Sequence, residues 1–158
     1  MNSAIGNSTQ KFYSKLKRNE ILRILDVNFN RSREGLRVCE EITRFVMEDA
    51  ALTKELKKVR HAISRSLKNF SVSAFELVAA RDTRRDVGKG SSRLEKARQS
   101  TVDIFLANSE RVKESLRVLE ETSKLLNQNT SCELKKIRFC TYALEKKVLK
   151  KLETLCHH

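Results

Sequence analysis

Arginine, asparagine and glutamate recur at matched positions in the two halves of this chain, and those residue types suit the handling of an anion. Residues 28–41 read NFNRSREGLRVCEE and residues 108–121 read NSERVKESLRVLEE. Eight of these fourteen positions are identical: Asn28/Asn108, Arg31/Arg111, Glu34/Glu114, Leu36/Leu116, Arg37/Arg117, Val38/Val118, Glu40/Glu120 and Glu41/Glu121. Arg33 and Lys113 keep a positive charge, and ELKKVR at 55–60 returns as ELKKIR at 133–138, which puts Arg60 in register with Arg138. A repeated scaffold needs only its apolar pattern. Repeated guanidinium groups, which grip phosphate or carboxylate through two parallel N–H bonds, point to ligand chemistry or to interior ion pairs.

A second candidate set lies between the repeats, in RDTRRDVGKGSS at 81–92. Asp82 and Asp86 are spaced to hold Mg²⁺ through water. Gly88 and Gly90 let backbone N–H groups approach a phosphate, and a helix start is expected just beyond. GKGSS lacks the Walker A spacing, and an ordinary linker with an N-cap has much the same composition. His61 has no copy in the second half, where Phe139 stands. A lone helix histidine is read either as a packing residue or as a site residue.

The elements that position these residues are helical. Proline is absent and only four glycines occur in 158 residues, which favours long helices in a single domain, 1–158. Residues 1–9 read as disordered. A first helix is expected from about 11 or 19 to Met47, and Glu48–Asp49 form a turn with Asp49 as N-cap. A second helix spans roughly 50–70, residues 71–75 are ambiguous, and 76–80 make one more turn. Ser92–Glu95 has the form of a capping box opening a third helix to about Leu126, and Thr130–Glu133 of one opening a fourth to about Leu155. The repeat halves, about 20–70 and 95–155, are two sequence-related helical hairpins in tandem. Their natural architecture is an all-α antiparallel four-helix bundle. His157 and His158 read as a tag remnant.

On a helical wheel, Ile24, Leu25, Phe29, Leu36, Val38, Cys39, Ile42, Phe45 and Val46 define the apolar sector of the first helix. Asn28 lies near its centre, Gly35 beside it, Arg31 slightly off axis and Glu34 at its edge. Arg33, Arg37, Glu40 and Glu41 fall outside. The third helix repeats this with Asn108, Arg111 and Ser115 among Phe105, Val112, Leu116, Val118, Leu119 and Leu125. Arg138 points among Leu134, Ile137 and Leu152, and Arg60 nearer a margin. A buried unpaired arginine is strongly unfavourable, so Arg31, Arg60, Arg111 and Arg138 need carboxylates or an anion-receiving pocket. Gly35 and Ser115 leave room for a ligand or for close helix approach. The plainer alternatives are i,i+3 pairs, Arg31–Glu34 and Arg111–Glu114, and a solvated charged face for Arg37, Glu40, Glu41 and their copies.

A net charge of +13 makes anionic partners the expectation: nucleic acid, an acidic membrane surface or phosphorylated small molecules. No run reaches the roughly 18 apolar residues of a membrane span, and MNSAIGNSTQ has no apolar signal core. The cysteines at 39, 132, 140 and 156 form no C-x-x-C pair. They read as reduced thiols of a cytoplasmic protein, without zinc.

The run ILRILDVNFNRSREGLRVCEEITRFVMEDAALTKELKKVRH, followed by LVAARDTRRDVG, resembles the monofunctional hydroxymethylpyrimidine-phosphate kinases of thiamine biosynthesis, which also occur fused ahead of thiamine-phosphate synthase. The resemblance covers about residues 20–150 and leaves no room for a synthase barrel of roughly 200 residues. It implies transfer of the ATP γ-phosphoryl group to 4-amino-5-hydroxymethyl-2-methylpyrimidine phosphate, giving the diphosphate. Matching positions are Arg31, Arg33, Glu34, Gly35, Arg37, Glu40, Arg60, His61, Arg81, Asp82, Asp86 and Gly88. From these we expect Arg31, Glu34, Arg60 and Arg81 as catalytic residues, with Arg111 as a further phosphate clamp. Asn28, Arg33, Gly35, Arg37, Glu40, His61, Gly88 and Glu114 are expected to bind pyrimidine phosphate or ATP, and Asp82 and Asp86 the Mg²⁺. A homodimer and a functional link to thiamine-phosphate synthase are further expectations. The competing classes are a basic helical nucleic-acid-binding module, a cobalamin adenosyltransferase-like transferase and a structural helical oligomer. Few aromatics are placed to stack bases, which disfavours the nucleic-acid reading.

Overall fold

The computed structural model describes residues 3–87 and 98–156, with side chains described for 18–87 and 98–155. Among the described residues every regular element is an α-helix: α1 Ser3–Phe45, α2 Ala50–Leu67, α3 Ala74–Ala79, α4 Thr101–Ser123 and α5 Gln128–Cys156. The all-α expectation holds.

Local chemistry explains most boundaries. Glu48 takes a left-handed φ of 51°, which ends α1 at the expected turn. Asp49 then caps α2, accepting a hydrogen bond from the Leu52 N–H at 2.9 Å. Ser73 and Glu76 form a capping box for α3, so the ambiguous stretch 71–75 is irregular through Ser73 and helical from Ala74. Three boundaries differ from expectation. α1 begins at Ser3 rather than 11 or 19, because the polar residues read as fraying include no proline and do not forbid a helix. α4 opens at Thr101, where Ser100 and Asp103 form the capping box. Residues 98–100 are not helical, and the Ser92–Glu95 box lies outside the described residues. Asn127, not Thr130, receives the first turn of α5, accepting from the Thr130 N–H at 3.2 Å.

The four long helices close a ring: α1 packs against α2 and α4, and α5 packs against the same two. Cys39 on α1 reaches the Phe105 carbonyl, while Gly35 meets Asn108 and Val112, so α1 and α4 run antiparallel. Lys151 and Lys147 of α5 pair with Asp49 and Glu55 of α2 in reverse order, so that pair is antiparallel too. Adjacent helices therefore all oppose one another, and α2 and α4 lie on a diagonal pointing the same way. The chain between them must return along the bundle. It climbs α1: Glu76 pairs with Arg18, Arg23 donates to the Asp82 carbonyl, and Arg81 pairs with Asp26.

The core is drawn from both halves, with Leu25, Leu36, Ile63, Phe105, Val112, Leu116, Leu119, Leu134 and Val148 almost wholly buried. The apolar sector drawn from sequence is too wide at its edges, for Ile24, Phe45, Val46, Val118 and Leu125 are all exposed. They lie at helix ends or on flanks that no neighbour covers. Gly35 is where α1 and α4 come closest. A Cβ there would stand 2.8 Å from Val112 Cγ2 and 2.9 Å from the Asn108 carbonyl oxygen. Of the two roles read for Gly35, the structure shows helix approach.

Candidate functional site

The interior polar chemistry centres on Glu40, which is 3% exposed. Its carboxylate takes two hydrogen bonds from Arg60, at 2.6 Å from Nε and 3.1 Å from Nη2. Glu120 pairs with Arg138 in the same way but through one oxygen, accepting from Nε at 3.0 Å with Nη2 at 2.9 Å. The expected carboxylate partners of Arg60 and Arg138 are therefore the repeated glutamates, which the wheel had placed outside the sector on a solvated face. That placement is corrected by counting turns. Glu40 lies eighteen residues, about five turns, from buried Leu22 and so at the same azimuth. Its hydrogen bonds with Glu40 hold the Arg60 guanidinium above even its normally high pKa.

The same arithmetic moves Arg31 to the opposite side of α1. Arg31 and Arg111 are exposed rather than interior. Neither forms the i,i+3 pair with Glu34 or Glu114, both of which are also exposed. Asn28 is buried as expected, but its Nδ2 donates to the Ile24 carbonyl at 2.8 Å, as Asn108 does to Ile104. The matched asparagines brace their own helix turns.

A pocket of about 260 Å³ opens between α1 and α2, lined by Asn30, Arg33, Glu34, Arg37 and Arg60. Four of these five were expected site residues, and the structure brings them together. Glu40 holds Arg60 from beneath, and Arg37 is held by Glu41 at 2.6 Å. Among the described residues Arg33 and Glu34 have no ion-pair partner, so both are available to a ligand. Asn30 links this pocket to Asp26, donating to Oδ1 at 3.3 Å. Asp26, buried on α1, in turn takes two hydrogen bonds from Arg81, at 2.5 and 2.9 Å. Asp26 and Asn30 were missed in the sequence. The available signal was their i,i+4 spacing to each other and a carboxylate set between Leu25 and Phe29, where burial requires a cation.

Other expected residues stand apart. His61 is exposed and does not line the pocket, and Gly35 faces α4. Gly88 lies outside the described residues. Asp82 accepts from the Arg85 N–H at 3.1 Å and faces its side chain at 3.8 Å, while Asp86 is exposed. No group of three or more His, Cys, Asp or Glu among the described residues is arranged to hold a metal. Asp82 fits Mg²⁺ only in the manner of a nucleotide-borne ion, which keeps most of its waters and takes one or two carboxylates. A more open depression of about 430 Å³ at the start of α4 includes Asp103, which is already committed to the Ser100 cap.

The second half does not repeat the pocket. Lys113, the counterpart of Arg33, is held by both Glu145 oxygens at 2.9 Å and by Glu110 at 2.6 Å. Tyr142 stands where the first half has Ser64. Arg138 donates to its hydroxyl at 3.4 Å, and Lys113 lies 5.3 Å from its ring. Neutralised and filled, that position offers an anion little. Among the described residues the two halves are thus unlike at this position, and only the first leaves the arginine-lined pocket open.

Cys39 is buried, and its thiol is pushed up to about 12, first by desolvation and then by Glu145 and Glu40. Cys132 and Cys140 are exposed free thiols. Native protein at pH 8 is expected to label with a thiol reagent at Cys132 and Cys140, and at Cys39 only after denaturation. Mass mapping of the labelled peptides checks this.

Among the described residues the protein is a small all-α bundle whose first hairpin carries an arginine-lined pocket. The chain belongs to the ThiD2 family, which matches residues 23–147. Similar proteins include a thiamine-phosphate synthase of Synechocystis sp., 42% identical over 82% of this chain and 36% of that protein. One from Thermosynechococcus vestitus is 44% identical over 78% of this chain and 34% of its own length. One from Rhodopirellula baltica is 37% identical over 78% and 32%. The chain thus spans about a third of the length of these relatives. No solved structure matches it. Among the described residues no helix is long and apolar enough to cross a membrane.

Proposed function

We propose that this chain acts in thiamine biosynthesis as a kinase. It would move the γ-phosphoryl group of ATP onto 4-amino-5-hydroxymethyl-2-methylpyrimidine phosphate. The observation that carries the reading is the pocket in which Arg33, Arg37 and Arg60 converge beside an unpaired Glu34. The family and the names of the longer relatives support the pathway. In that reading the chain corresponds to the helical part of such proteins and supplies the diphosphate that a synthase consumes.

The chemistry suits this residue set. An oxygen of the acceptor phosphate attacks Pγ, a new P–O bond forms, and the bond from Pγ to the β–γ bridging oxygen breaks, releasing ADP. The attacking oxygen is already anionic near neutral pH, so no strong base is needed. The obstacle is repulsion between phosphates, which guanidinium groups reduce by neutralising and aligning both partners. Arg60, fixed by Glu40, keeps its direction at no further ordering cost. Glu34 accepts a hydrogen bond from the pyrimidine amino group. Mg²⁺, when bound on the nucleotide, would supply further charge neutralisation, with Asp82 as a candidate ligand.

Incubation with Mg-ATP and the pyrimidine monophosphate is expected to give the diphosphate, followed by ³¹P NMR. Absence of diphosphate and of ADP above background would sink the reading. Turnover of the free alcohol but not the monophosphate would replace the acceptor.

A further inference from the structure

The cationic pocket accounts for phosphates but offers no apolar wall to a heterocyclic ring. Such a wall exists farther back along α1. Ile21, Leu22, Phe70, Ser71, Val72 and Leu126 line a cleft of about 210 Å³ where the middle of α1 meets the segments just beyond α2 and α4. It is more enclosed than the cationic pocket. Phe70 is 5% exposed and fixed edge-on against Phe29, with ring centroids 6.1 Å apart. Leu126, 42% exposed, flanks the mouth. Apolar walls interleaved with Arg18, Asn69 and Asn127 suit a flat ring that carries hydrogen-bonding edges.

Leu22 and Arg33 are separated along α1 by about 16 Å, at 1.5 Å per residue. Arg81 stands between them, paired with Asp26 yet 45% exposed, so it presents a cation midway. A ribose and a triphosphate chain bridge that distance. A single methylene and one phosphate do not.

We infer that this cleft is the base subsite for a nucleoside triphosphate whose phosphate chain runs past Arg81 to Arg33, Arg37 and Arg60. The inference rests on the phosphotransfer reading for the triphosphate, and it adds where the base sits. The acceptor pyrimidine is then left at the Glu34 end.

The test compares Mg-ATP with Mg-tripolyphosphate by calorimetry, in the wild type and in Ser71→Trp and Leu126→Trp. Both changes lie at exposed positions, and thermal melting checks that they fold. Burial of one ring predicts that wild-type protein binds ATP about tenfold tighter than tripolyphosphate. Either tryptophan is expected to erase that difference and leave tripolyphosphate affinity unchanged. Equal wild-type affinities would overturn the base subsite alone. Binding of neither probe would overturn the phosphotransfer reading as well. If the variants weaken the pyrimidine monophosphate and spare ATP, the cleft holds the acceptor ring and the inference fails.

Discussion

Gly35→Ala is expected to destabilise the protein by about 2–3 kcal/mol, the size of an overpacking defect. In an exposed helix interior the same change stabilises by up to about 1 kcal/mol, because alanine loses less backbone entropy than glycine. Here the added Cβ would sit 2.8 Å from a Val112 methyl and 2.9 Å from the Asn108 carbonyl oxygen. The valine methyl can shift by a rotamer change. The carbonyl belongs to the backbone of α4 and moves only with that helix. α1 and α4 must therefore separate along an interface that carries much of the core. For a domain of this size the melting temperature should fall by about 5–10 °C, measured by circular dichroism or calorimetry. Ser115→Ala, at the matched position that already carries a Cβ, should change it far less. Because Gly35 does not line the pocket, folded variant should keep its ligand affinity at low temperature. A neutral or stabilised variant would contradict the close approach, and lost affinity with unchanged stability would restore Gly35 as a ligand-contacting residue.

Arg33→Met should lower kcat/KM for phosphoryl transfer by about two orders of magnitude, the usual consequence of removing one charge-stabilising donor. Its melting temperature should stay within about 1 °C of wild type, since an exposed side chain with no partner contributes little to stability. Arg31→Met provides the comparison. Arg31 lies two positions away and belongs to the same repeated motif, but it faces solvent on the opposite side of α1. It should lose less than threefold. Equal losses at both positions would mean that the motif acts as a diffuse positive surface. No loss at Arg33 would remove the α1–α2 pocket from the reaction. Arg60 is a poorer test, because its removal leaves the nearly buried Glu40 carboxylate without its main cation and the fold suffers with the chemistry.

The candidate site was partly legible. Arg33, Glu34, Arg37 and Arg60 stand out in the sequence because they recur or match a motif, and the fold gathers them at one opening. Asp26 and Asn30 do not recur as such, since Glu110 replaces Asn30 and Leu106 replaces Asp26. Their role depends on Arg81, which reaches α1 only because the long connection climbs that helix. No local pattern announces such a contact. Recurrence also misled: Arg31 and Arg111 are identical across the repeat and both face solvent. Identity between halves does not fix burial, because the buried arc of each helix is set by the neighbours packed against it.

By itself the sequence determined the helices and their pairing into hairpins. Glycine and proline scarcity, apolar periodicity and the Asp49 cap act within a few residues of one another, and short-range forces of that kind are readable in one dimension. The tertiary structure alone decided which carboxylate neutralises which arginine, and that Gly35 serves the α1–α4 contact. It also decided that Tyr142 and Glu145 close the second half's version of the pocket while Ser64 leaves the first half's open. These outcomes depend on the azimuth of each helix against two neighbours at once. A rotation of about 100° separates a buried residue from its exposed neighbour in sequence. Only packing fixes that angle.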